Sequence, residues 1–370
     1  MKIKSAVLRD IDKPVEIEEL ELDPPGEKEV LVKYLFTGFC HSDYSTIRGW
    51  IPMDLPLVIG HEAAGIVEEL GPGVTKLEKG DHVVGTWMIP CGRCPLCLRG
   101  SGNLCRKNIE FFISGMLLDG TSRLRDKKGH MVRHGNFVSG FSSYSVVPED
   151  GAILLPKEIP LDQACLMGCC VPTGWGAVTN TANVQFGESV VIYGLGGVGL
   201  NILRAAYIRR ADPIIAVDIE GNRKELAMEF GATHFIDNSK EDPVPRIQEI
   251  TDGLGADVVF EAIGDTGAQA QAFWSTGVKG KLVLVGATPM GQTADIATPL
   301  IPFHEKSILG SLYGSISTQI DIPRLVDLCL KGDLLLDKLI TKKFRLEDIN
   351  DVVKAMERRE VLGRWVCEFE

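Results

Sequence analysis

Residues 189–199 of this chain read Ser-Val-Val-Ile-Tyr-Gly-Leu-Gly-Gly-Val-Gly. The stretch opens with β-branched and aromatic residues that predict a buried strand, and an apolar run with helical periodicity follows as far as Arg210. A G-x-G-x-x-G pattern is a weak signal alone. Between a strand and a helix it predicts a loop whose backbone approaches a pyrophosphate. The loop residues expected to bind this cofactor are Gly194, Gly196, Gly197, Val198 and Gly199.

The acidic residue that such a loop requires is also present. A second predicted strand, residues 214–217, ends at Asp218, nineteen residues after Gly199. A carboxylate at this distance accepts hydrogen bonds from the ribose hydroxyls and repels a 2′-phosphate, which favours NAD over NADP. Three further β-like runs cover residues 233–237, 257–261 and 281–286. Their alternation with helical segments predicts a doubly wound parallel sheet of the Rossmann type.

The first half of the chain has a different pattern. Residues 1 to about 85 contain short β-branched runs separated by Pro- and Gly-rich turns, which predict a compact antiparallel β unit. Cys40 and His61 stand at loop–strand junctions of this unit, and thiolate and imidazole are ligands that zinc prefers. Taken singly, each is more often a core residue. Cys169, near the middle of the chain, can reach back as a further ligand, so we expect metal, substrate and cofactor to meet between two domains.

Residues 91–105 carry a second group of thiols, with the spacing Cys91-x2-Cys94-x2-Cys97-x7-Cys105. Four thiolates can surround one zinc tetrahedrally and leave no open position, so this metal would have a structural role and hold the loop together. An iron–sulfur cluster is an open alternative, since it also suits closely spaced cysteines. The interspersed Gly and Pro residues suit a tight loop around zinc, which we favour.

Composition narrows the class of protein. A chain of 370 residues is long enough for two domains, and its formal charge of −11 argues against a nucleic-acid or anionic-membrane partner. The N-terminal segment has too short an apolar run for a secretory signal, and no run reaches the eighteen or so residues of a membrane helix. Clustered cysteines in such a chain favour metal binding over disulfides. A cytoplasmic location is therefore expected.

Taken together, these motifs resemble one family. Gly60-His61-Glu62, the four-cysteine segment and Gly168-Cys169, in this order, resemble the zinc-containing medium-chain alcohol dehydrogenases over essentially the whole chain. Residues 119–123 and 141–147 resemble the longer-loop branch, which includes the class I and class III enzymes. The resemblance implies an α/β protein with a GroES-like, β-rich catalytic domain and a Rossmann NAD-binding domain. The implied ranges are 1–170 and 314–370 for the catalytic domain, with the structural zinc lobe at 91–105, and 171–313 for the NAD-binding domain.

The resemblance also assigns roles around two Zn²⁺ ions. It implies a catalytic zinc held by Cys40, His61 and Cys169, and a structural zinc held by Cys91, Cys94, Cys97 and Cys105. Ser42 would relay the alcohol proton, and Asp43 would orient a histidine ligand, although a turn-capping aspartate is an alternative for Asp43. Glu62 would lie beside the metal as an outer carboxylate or an alternative ligand. Cys170 follows Cys169 directly and could compete for the metal, but adjacent side chains point apart.

Further positions are carried over by the same resemblance. Thr173, Arg223 and Arg364 would contact the cofactor, although Arg364 could instead pair with a nearby acid. Arg223 would flank the adenosine ribose and could soften the NAD preference, and a solvated helix charge explains it equally well. Ile51 and Trp87 would line the substrate pocket near the metal, with Ala287 beside the nicotinamide. Phe111, Phe112, Met116 and Phe141 could extend an apolar channel, although loop aromatics more often pack in the core.

The implied function is zinc-dependent oxidation of an alcohol to an aldehyde or ketone, and the reverse, with hydride transfer to NAD. Trp87 would narrow the site and favour primary or allylic alcohols. Ser45 stands where several relatives carry a histidine that ends the proton relay, and His41 stands where an arginine often binds phosphate, so the relay's end is open. Alternatives are a CoA- or thiol-conjugated or cyclic hydroxy substrate, a nicotinoprotein that retains NAD(H), and a non-catalytic NAD(H)-binding sensor. A homodimer or homotetramer is expected.

Overall fold

The computed structural model describes residues 1–370, except for the side chain of Asn108. The strands are β1 (Lys2–Leu8), β2 (Glu16–Leu22), β3 (Glu29–Gly38), β4 (Leu57–Val58), β5 (Glu62–Leu70), β6 (His82–Gly85), β7 (Leu124–Arg125), β8 (Met131–His134), β9 (Tyr144–Pro148), β10 (Ala152–Leu155), β11 (Val190–Tyr193), β12 (Ile214–Asp218), β13 (His234–Asp237), β14 (Ala256–Glu261), β15 (Thr276–Leu284), β16 (Ser307–Gly310), β17 (Ile340–Phe344) and β18 (Arg364–Glu368). The helices are α1 (His41–Ile47), α2 (Pro95–Leu98), α3 (Arg106–Ser114), α4 (Leu161–Ala164), α5 (Cys170–Gly176), α6 (Gly197–Ile208), α7 (Lys224–Phe230), α8 (Pro243–Ile250), α9 (Thr266–Ser275), α10 (Leu300–Phe303), α11 (Thr318–Leu330), α12 (Leu336–Leu339) and α13 (Ile349–Glu357).

The chain divides into two compact units. Unit 1 comprises Met1–Cys169, Ser317–Gly332 and Leu336–Glu370, and unit 2 comprises Cys170–Ile316 and Asp333–Leu335. The expected boundaries, after residue 170 and before residue 314, lie one and three residues from those of the structure. The sequence did not predict that Asp333–Leu335 would group with unit 2.

Unit 1 is built on two sheets. β1, β2, β7, β8 and β4 form a closed barrel, and a seven-stranded sheet has the order β10-β6-β5-β3-β18-β17, with β9 also paired to β3. Gly38 at the end of β3 pairs with Glu62 of β5 on one side and with Val366 of β18 on the other. Since β3 runs on into Cys40 and β5 starts directly after His61, this register brings both residues to one end of the sheet.

A buried histidine in unit 1 makes its stability dependent on pH. The His134 side chain is fully buried, its Nε2 accepts a hydrogen bond from the Arg123 N–H (3.3 Å), and its Nδ1 lies 3.2 Å from Ser139 Oγ. A proton on Nε2 would leave two N–H groups facing each other. Burial, together with the nearby Arg123 guanidinium, lowers the pKa of His134 to about 3.

We expect this histidine to destabilise the protein in acid. Because the unfolded His134 titrates near its ordinary pKa and the folded one near 3, the unfolded state binds the extra proton between those values, and stability falls as pH falls from about 6.5. The loss between pH 7.5 and pH 5 should be about 2 kcal/mol. Urea unfolding of the wild type and of His134→Gln at both pH values measures it. An acid loss that is equal in the two proteins would contradict the assignment.

Unit 2 is a six-stranded parallel sheet in the order β13-β12-β11-β14-β15-β16. The order reverses between β11 and β14, and ligands of such sheets bind at the carboxyl ends of the strands beside this switch point. Helix α6 ends at Ile208, two residues before the predicted end, because Arg210 turns into the left-handed region (φ 61°). Strand β16 is the last strand in this order, and it covers the middle of residues 306–313. In the part of the chain that the structure describes, no helix is long and apolar enough to cross a membrane.

Candidate active site

Four side chains in unit 1 form a candidate metal site. One ligand atom from each of Cys40, His61, Glu62 and Cys169 lies within 4.8 Å of the others, and all four residues are buried. Cys40 precedes α1 and takes an extended conformation (φ −98°, ψ 154°). Among the described residues, Cys169 and not its neighbour Cys170 belongs to this group.

Asp43 fixes two of these residues at once. Its Oδ2 accepts a hydrogen bond from the Cys40 N–H (2.9 Å), and its Oδ1 lies 2.9 Å from His61 Nδ1. The first contact is the turn cap that the sequence left as an alternative. The second holds the imidazole so that Nε2 is left for a metal, as carboxylates behind histidine ligands do. Asp43 therefore makes both the turn-capping contact and the contact with the His61 ring.

The second thiol group is also assembled in unit 1. Cys91, Cys94, Cys97 and Cys105 bring their sulfur atoms within 4.8 Å of one another. The N–H groups of Cys97 and Arg106 lower the pKa of Cys94 to about 6, whereas burial and the adjacent Cys94 thiol raise the pKa of Cys97 to about 12. Four thiols this close cannot all ionise without a cation, so the donor set fits a closed metal site.

The glycine loop of unit 2 lies at the sheet edge that the switch point predicts. Gly194 has φ 90°, and a Cβ atom on Gly199 would lie 1.8 Å from the Gly194 carbonyl oxygen. A Cβ atom on Gly196 would meet no described atom within 4 Å, so open space lies over this residue. Since α6 begins at Gly197, its N-terminal N–H groups face the place where a pyrophosphate binds.

Asp218, at the end of β12, is held by the same loop. Its Oδ2 accepts hydrogen bonds from the Leu195 N–H (2.8 Å) and from Arg223 Nη1 (2.9 Å), and its Oδ1 accepts one from the Glu220 N–H (3.0 Å). Arg223 is thus paired with Asp218 and is not simply a solvated charge.

Comparison with known proteins agrees with these sites. Residues 26–157 match the family described as alcohol dehydrogenase GroES-like domain, and residues 197–331 match zinc-binding dehydrogenase. The chain is 38% identical over 357 residues to an NDMA-dependent alcohol dehydrogenase of Amycolatopsis methanolica, with 95% of each chain covered. It is 37% identical over 369 residues to S-(hydroxymethyl)glutathione dehydrogenase of Paracoccus denitrificans, covering 97% of this chain and 98% of the relative.

Solved structures give the same result. The fold matches that of benzyl alcohol dehydrogenase from Acinetobacter calcoaceticus with a TM-score of 0.93 and 34% identity, over 100% of both chains. The chain belongs to the zinc-containing medium-chain alcohol dehydrogenases. It is therefore a zinc-dependent oxidoreductase that acts on the CH–OH group of alcohols, with two zinc ions and NAD as cofactors. The non-catalytic sensor and the iron–sulfur alternatives have no support.

In this dehydrogenase, a buried ion pair backs the metal site. Arg364 Nη2 lies 3.1 Å from Glu62 Oε1, and Nη1 donates to the Phe39 carbonyl oxygen (3.0 Å). Both charged side chains are at most 4% exposed, and burial raises the pKa of Glu62 to about 7. Pairing of Arg364 with an acid is the alternative that the sequence left open, and the structure identifies that acid as Glu62. The contact of Arg364 with cofactor phosphate stays a prediction.

Ser42, the residue that the resemblance implies as the proton relay, lies on α1. Ser42 Oγ lies 3.7 Å from Cys40 Sγ, so the hydroxyl is next to the candidate metal site. One turn further, Ser45 Oγ lies 3.3 Å from His41 Nδ1. Ser45 and His41, the positions where the resemblance implied a histidine and an arginine, are thus in contact with each other.

The predicted pocket residues have different surroundings. The Trp87 ring stands edge-on to the His61 ring at 6.5 Å, and the Phe112 ring lies 6.0 Å from Trp87. Ile51 lies in the turn after α1, where its N–H donates to the Ser45 carbonyl oxygen (3.3 Å). The idea that Phe141 lines a channel is wrong, because this ring is fully buried in the core against Phe39 (5.7 Å).

Two more predicted residues belong to unit 2. Thr173 lies on α5, whose neighbouring residue Gly174 packs so closely on α6 that a Cβ atom would lie 2.7 Å from the Val198 carbonyl oxygen. Ala287 follows β15, and its carbonyl oxygen lies 2.5 Å from where Gly264 would carry a Cβ atom. Their contacts with NAD stay predictions.

Proposed function

We propose that this dehydrogenase oxidises primary alcohols that carry an aryl or alkenyl group on the carbinol carbon, and that it releases the aldehyde. The observation that supports the proposal is the aromatic wall formed by Trp87 and Phe112, which begins 6.5 Å from the His61 ring. Flat π-systems pack well against such rings, whereas a second substituent on the carbinol carbon would meet the indole. The likeness to a benzyl alcohol dehydrogenase points the same way.

In this proposal each residue has a distinct role in the reaction. When bound by Cys40, His61 and Cys169, zinc supplies a Lewis acid that lowers the pKa of the alcohol hydroxyl. Asp43 holds the His61 ring, and the Arg364–Glu62 pair holds the strand end that leads to Cys40. Ser42 Oγ accepts the alcohol proton while it passes its own proton on, and NAD, when bound, would supply the hydride acceptor. Phe112 and Trp87 exclude water from the apolar side of the substrate.

The path by which the proton leaves Ser42 runs past α1. Ser42 lies on the same short helix as Ser45, whose hydroxyl contacts His41. Because a serine stands at the position of the implied relay histidine, we propose that the proton would leave through water and through the ribose hydroxyls of bound NAD.

The test is steady-state oxidation with NAD of benzyl alcohol, cinnamyl alcohol, 1-phenylethanol, ethanol and S-(hydroxymethyl)glutathione. We expect kcat/KM for benzyl alcohol to exceed that for 1-phenylethanol by about tenfold or more, since the pocket must accept one extra methyl group in the second case. A preference for the glutathione adduct would overturn the proposal in favour of the thiol-conjugate alternative.

A nicotinoprotein is the second candidate, because one relative at 38% identity is described as NDMA-dependent. In that case NAD(H) would stay bound through gel filtration, and added NAD would not raise turnover. Cofactor absorbance in the purified protein, measured before any assay, separates the two.

We also propose that the enzyme works as a cytoplasmic homodimer or homotetramer. Strand β16 is the last of the described parallel sheet, and Ser307, Ile308 and Gly310 on it are exposed. An unpaired edge of this kind is a template for pairing with a second copy. All ten cysteines are free thiols, as in reducing compartments. Light scattering should give two or four chains per particle.

A further inference from the structure

The two rings of the aromatic wall lie at the two ends of the four-cysteine lobe, defined as residues 91–105. Trp87 lies four residues before Cys91, and Phe112 lies seven residues after Cys105. The chain between the two rings forms the lobe that would hold the structural metal. The Phe112 ring then lies 6.0 Å from the Trp87 ring. The four-cysteine lobe therefore connects the two segments that carry Trp87 and Phe112.

The arm that carries Trp87 is well anchored. Met88 and Ile89 are 3% and 2% exposed, and a Cβ atom on Gly102 of the lobe would lie 2.9 Å from the Pro90 ring. The Thr86 N–H donates to the Gly151 carbonyl oxygen (2.8 Å). This side of the wall is fixed by the core of unit 1 and by contact with the lobe.

The arm that carries Phe112 is held differently. Helix α3 has nine residues, and none of its described side chains is fully buried. Phe111 on this helix packs against a core cluster of unit 1, and because so short a helix is marginal, the position of its other residues also depends on how its ends are held. Its last turn is tied to the barrel, because the Asp54 N–H donates to the Ile113 carbonyl oxygen (2.9 Å) and Arg133 Nη1 to that of Ser114 (3.0 Å).

The first turn of α3 is held by the lobe. Cys105 is its N-cap residue, with no side-chain capping bond, and it is fully buried. The Cys105 sulfur accepts a hydrogen bond from the Cys91 N–H (3.3 Å), across the mouth of the lobe. Whatever fixes the four sulfur atoms therefore fixes the start of the helix that carries Phe112.

We propose that the metal in the four-cysteine lobe sets the position of Phe112 against Trp87, and so sets how strongly the enzyme selects aromatic alcohols. Phe112 and the lobe are positioning elements for the pocket, and the lobe cysteines touch no substrate. This inference rests on the proposed function for the class of alcohol. The coupling of lobe to helix stands on the contacts alone.

The variant Cys97→Ser tests the coupling. Zinc content should fall from two ions per chain to one. Benzyl alcohol is then titrated in the presence of NADH, a pair that cannot react, and ethanol is titrated in the same way. We expect the dissociation constant of benzyl alcohol to rise about three- to tenfold, the range for loss of one aromatic contact, and that of ethanol to change by less than about twofold.

A second pair of variants shows whether the effect passes through Phe112. Phe112→Ala should keep two zinc ions and raise the dissociation constant of benzyl alcohol to the same extent as Cys97→Ser. The double variant Phe112→Ala with Cys97→Ser should bind benzyl alcohol no more weakly than either single variant, because both substitutions remove the same contact. Leu98→Ala, at a lobe side chain that is 72% exposed, is the matched control and should change neither metal content nor affinity.

Hydrogen exchange gives a readout that needs no alcohol. Amides of residues 106–114 should exchange faster in Cys97→Ser than in the wild type. Unchanged exchange after loss of the lobe metal would overturn the inference, as would fully additive losses in the double variant. If Cys97→Ser does not fold, Gly102→Ala replaces it, because the new Cβ atom would displace the lobe from Pro90 with all thiols intact. A wild type that does not prefer benzyl alcohol, with faster exchange in the variant, would refute the proposed substrate and leave the coupling standing.

Discussion

Cys169→Ala is expected to abolish alcohol-dependent NAD reduction while the protein stays folded. The substitution leaves the candidate metal site with one thiolate, one imidazole and a carboxylate that is already paired with Arg364. Metal activation of the hydroxyl is worth several kcal/mol, so kcat/KM should fall on the order of 10³- to 10⁴-fold. Zinc content should drop from two ions per chain to one, and NADH binding, measured by fluorescence, should persist.

The adjacent Cys170 is the matched control. It is as buried as Cys169, but among the described residues it does not belong to the metal group. Cys170→Ala should therefore retain two zinc ions and turnover within a few fold of the wild type. Loss of metal from Cys170→Ala, or two zinc ions in Cys169→Ala, would show that the wrong cysteine has been assigned.

Asp218→Gly is expected to reverse the preference for NAD. Its carboxylate would accept from the ribose hydroxyls and repel a 2′-phosphate, and it binds Arg223 at 2.9 Å. Removing it deletes charge-assisted hydrogen bonds to NAD and releases Arg223 toward the extra phosphate of NADP. The ratio of kcat/KM for NADP to that for NAD should rise on the order of 10²-fold.

The double variant Asp218→Gly with Arg223→Ala shows where the gain comes from. If the released guanidinium binds the 2′-phosphate, the double variant should lose most of the affinity for NADP that the single variant gained. Selectivity that does not change in Asp218→Gly would mean that the carboxylate serves only to hold its protein partners Leu195, Glu220 and Arg223.

The parts of the site that could be predicted from sequence are those whose chemistry is local. The glycine loop, its acid at a fixed distance and the four-cysteine spacing each encode one short structure. Parallel strands alternate with helices in unit 2, so its sheet follows from periodicity. The position of Cys40 and His61 at loop–strand junctions is likewise visible in the sequence, and the register of β3 with β5 brings them together.

Other parts depend on contacts between distant residues, which no local pattern encodes. Arg364 binds Glu62 across 302 positions of the chain, so the pair becomes visible only once β18 is placed beside β3. Phe112 and Phe141 have the same apolar character, but one faces Trp87 and the other packs on Phe39. The end of α6 was also missed, because the turn at Arg210 breaks a helical pattern that continues in the sequence.

The position of β18 also affects how the protein is made. This strand is the penultimate one of its sheet, between β3 and β17, yet it follows all the other described strands in the chain. All six strands of unit 2 emerge earlier and are nearly continuous in the chain, so that unit can close during synthesis. Until β18 is in place, the edge of β3 that pairs with it is unpaired, and Glu62 lacks its contact with Arg364. Zinc that reaches Cys40 and His61 before β18 is in place would therefore meet a Glu62 that still lacks its contact with Arg364.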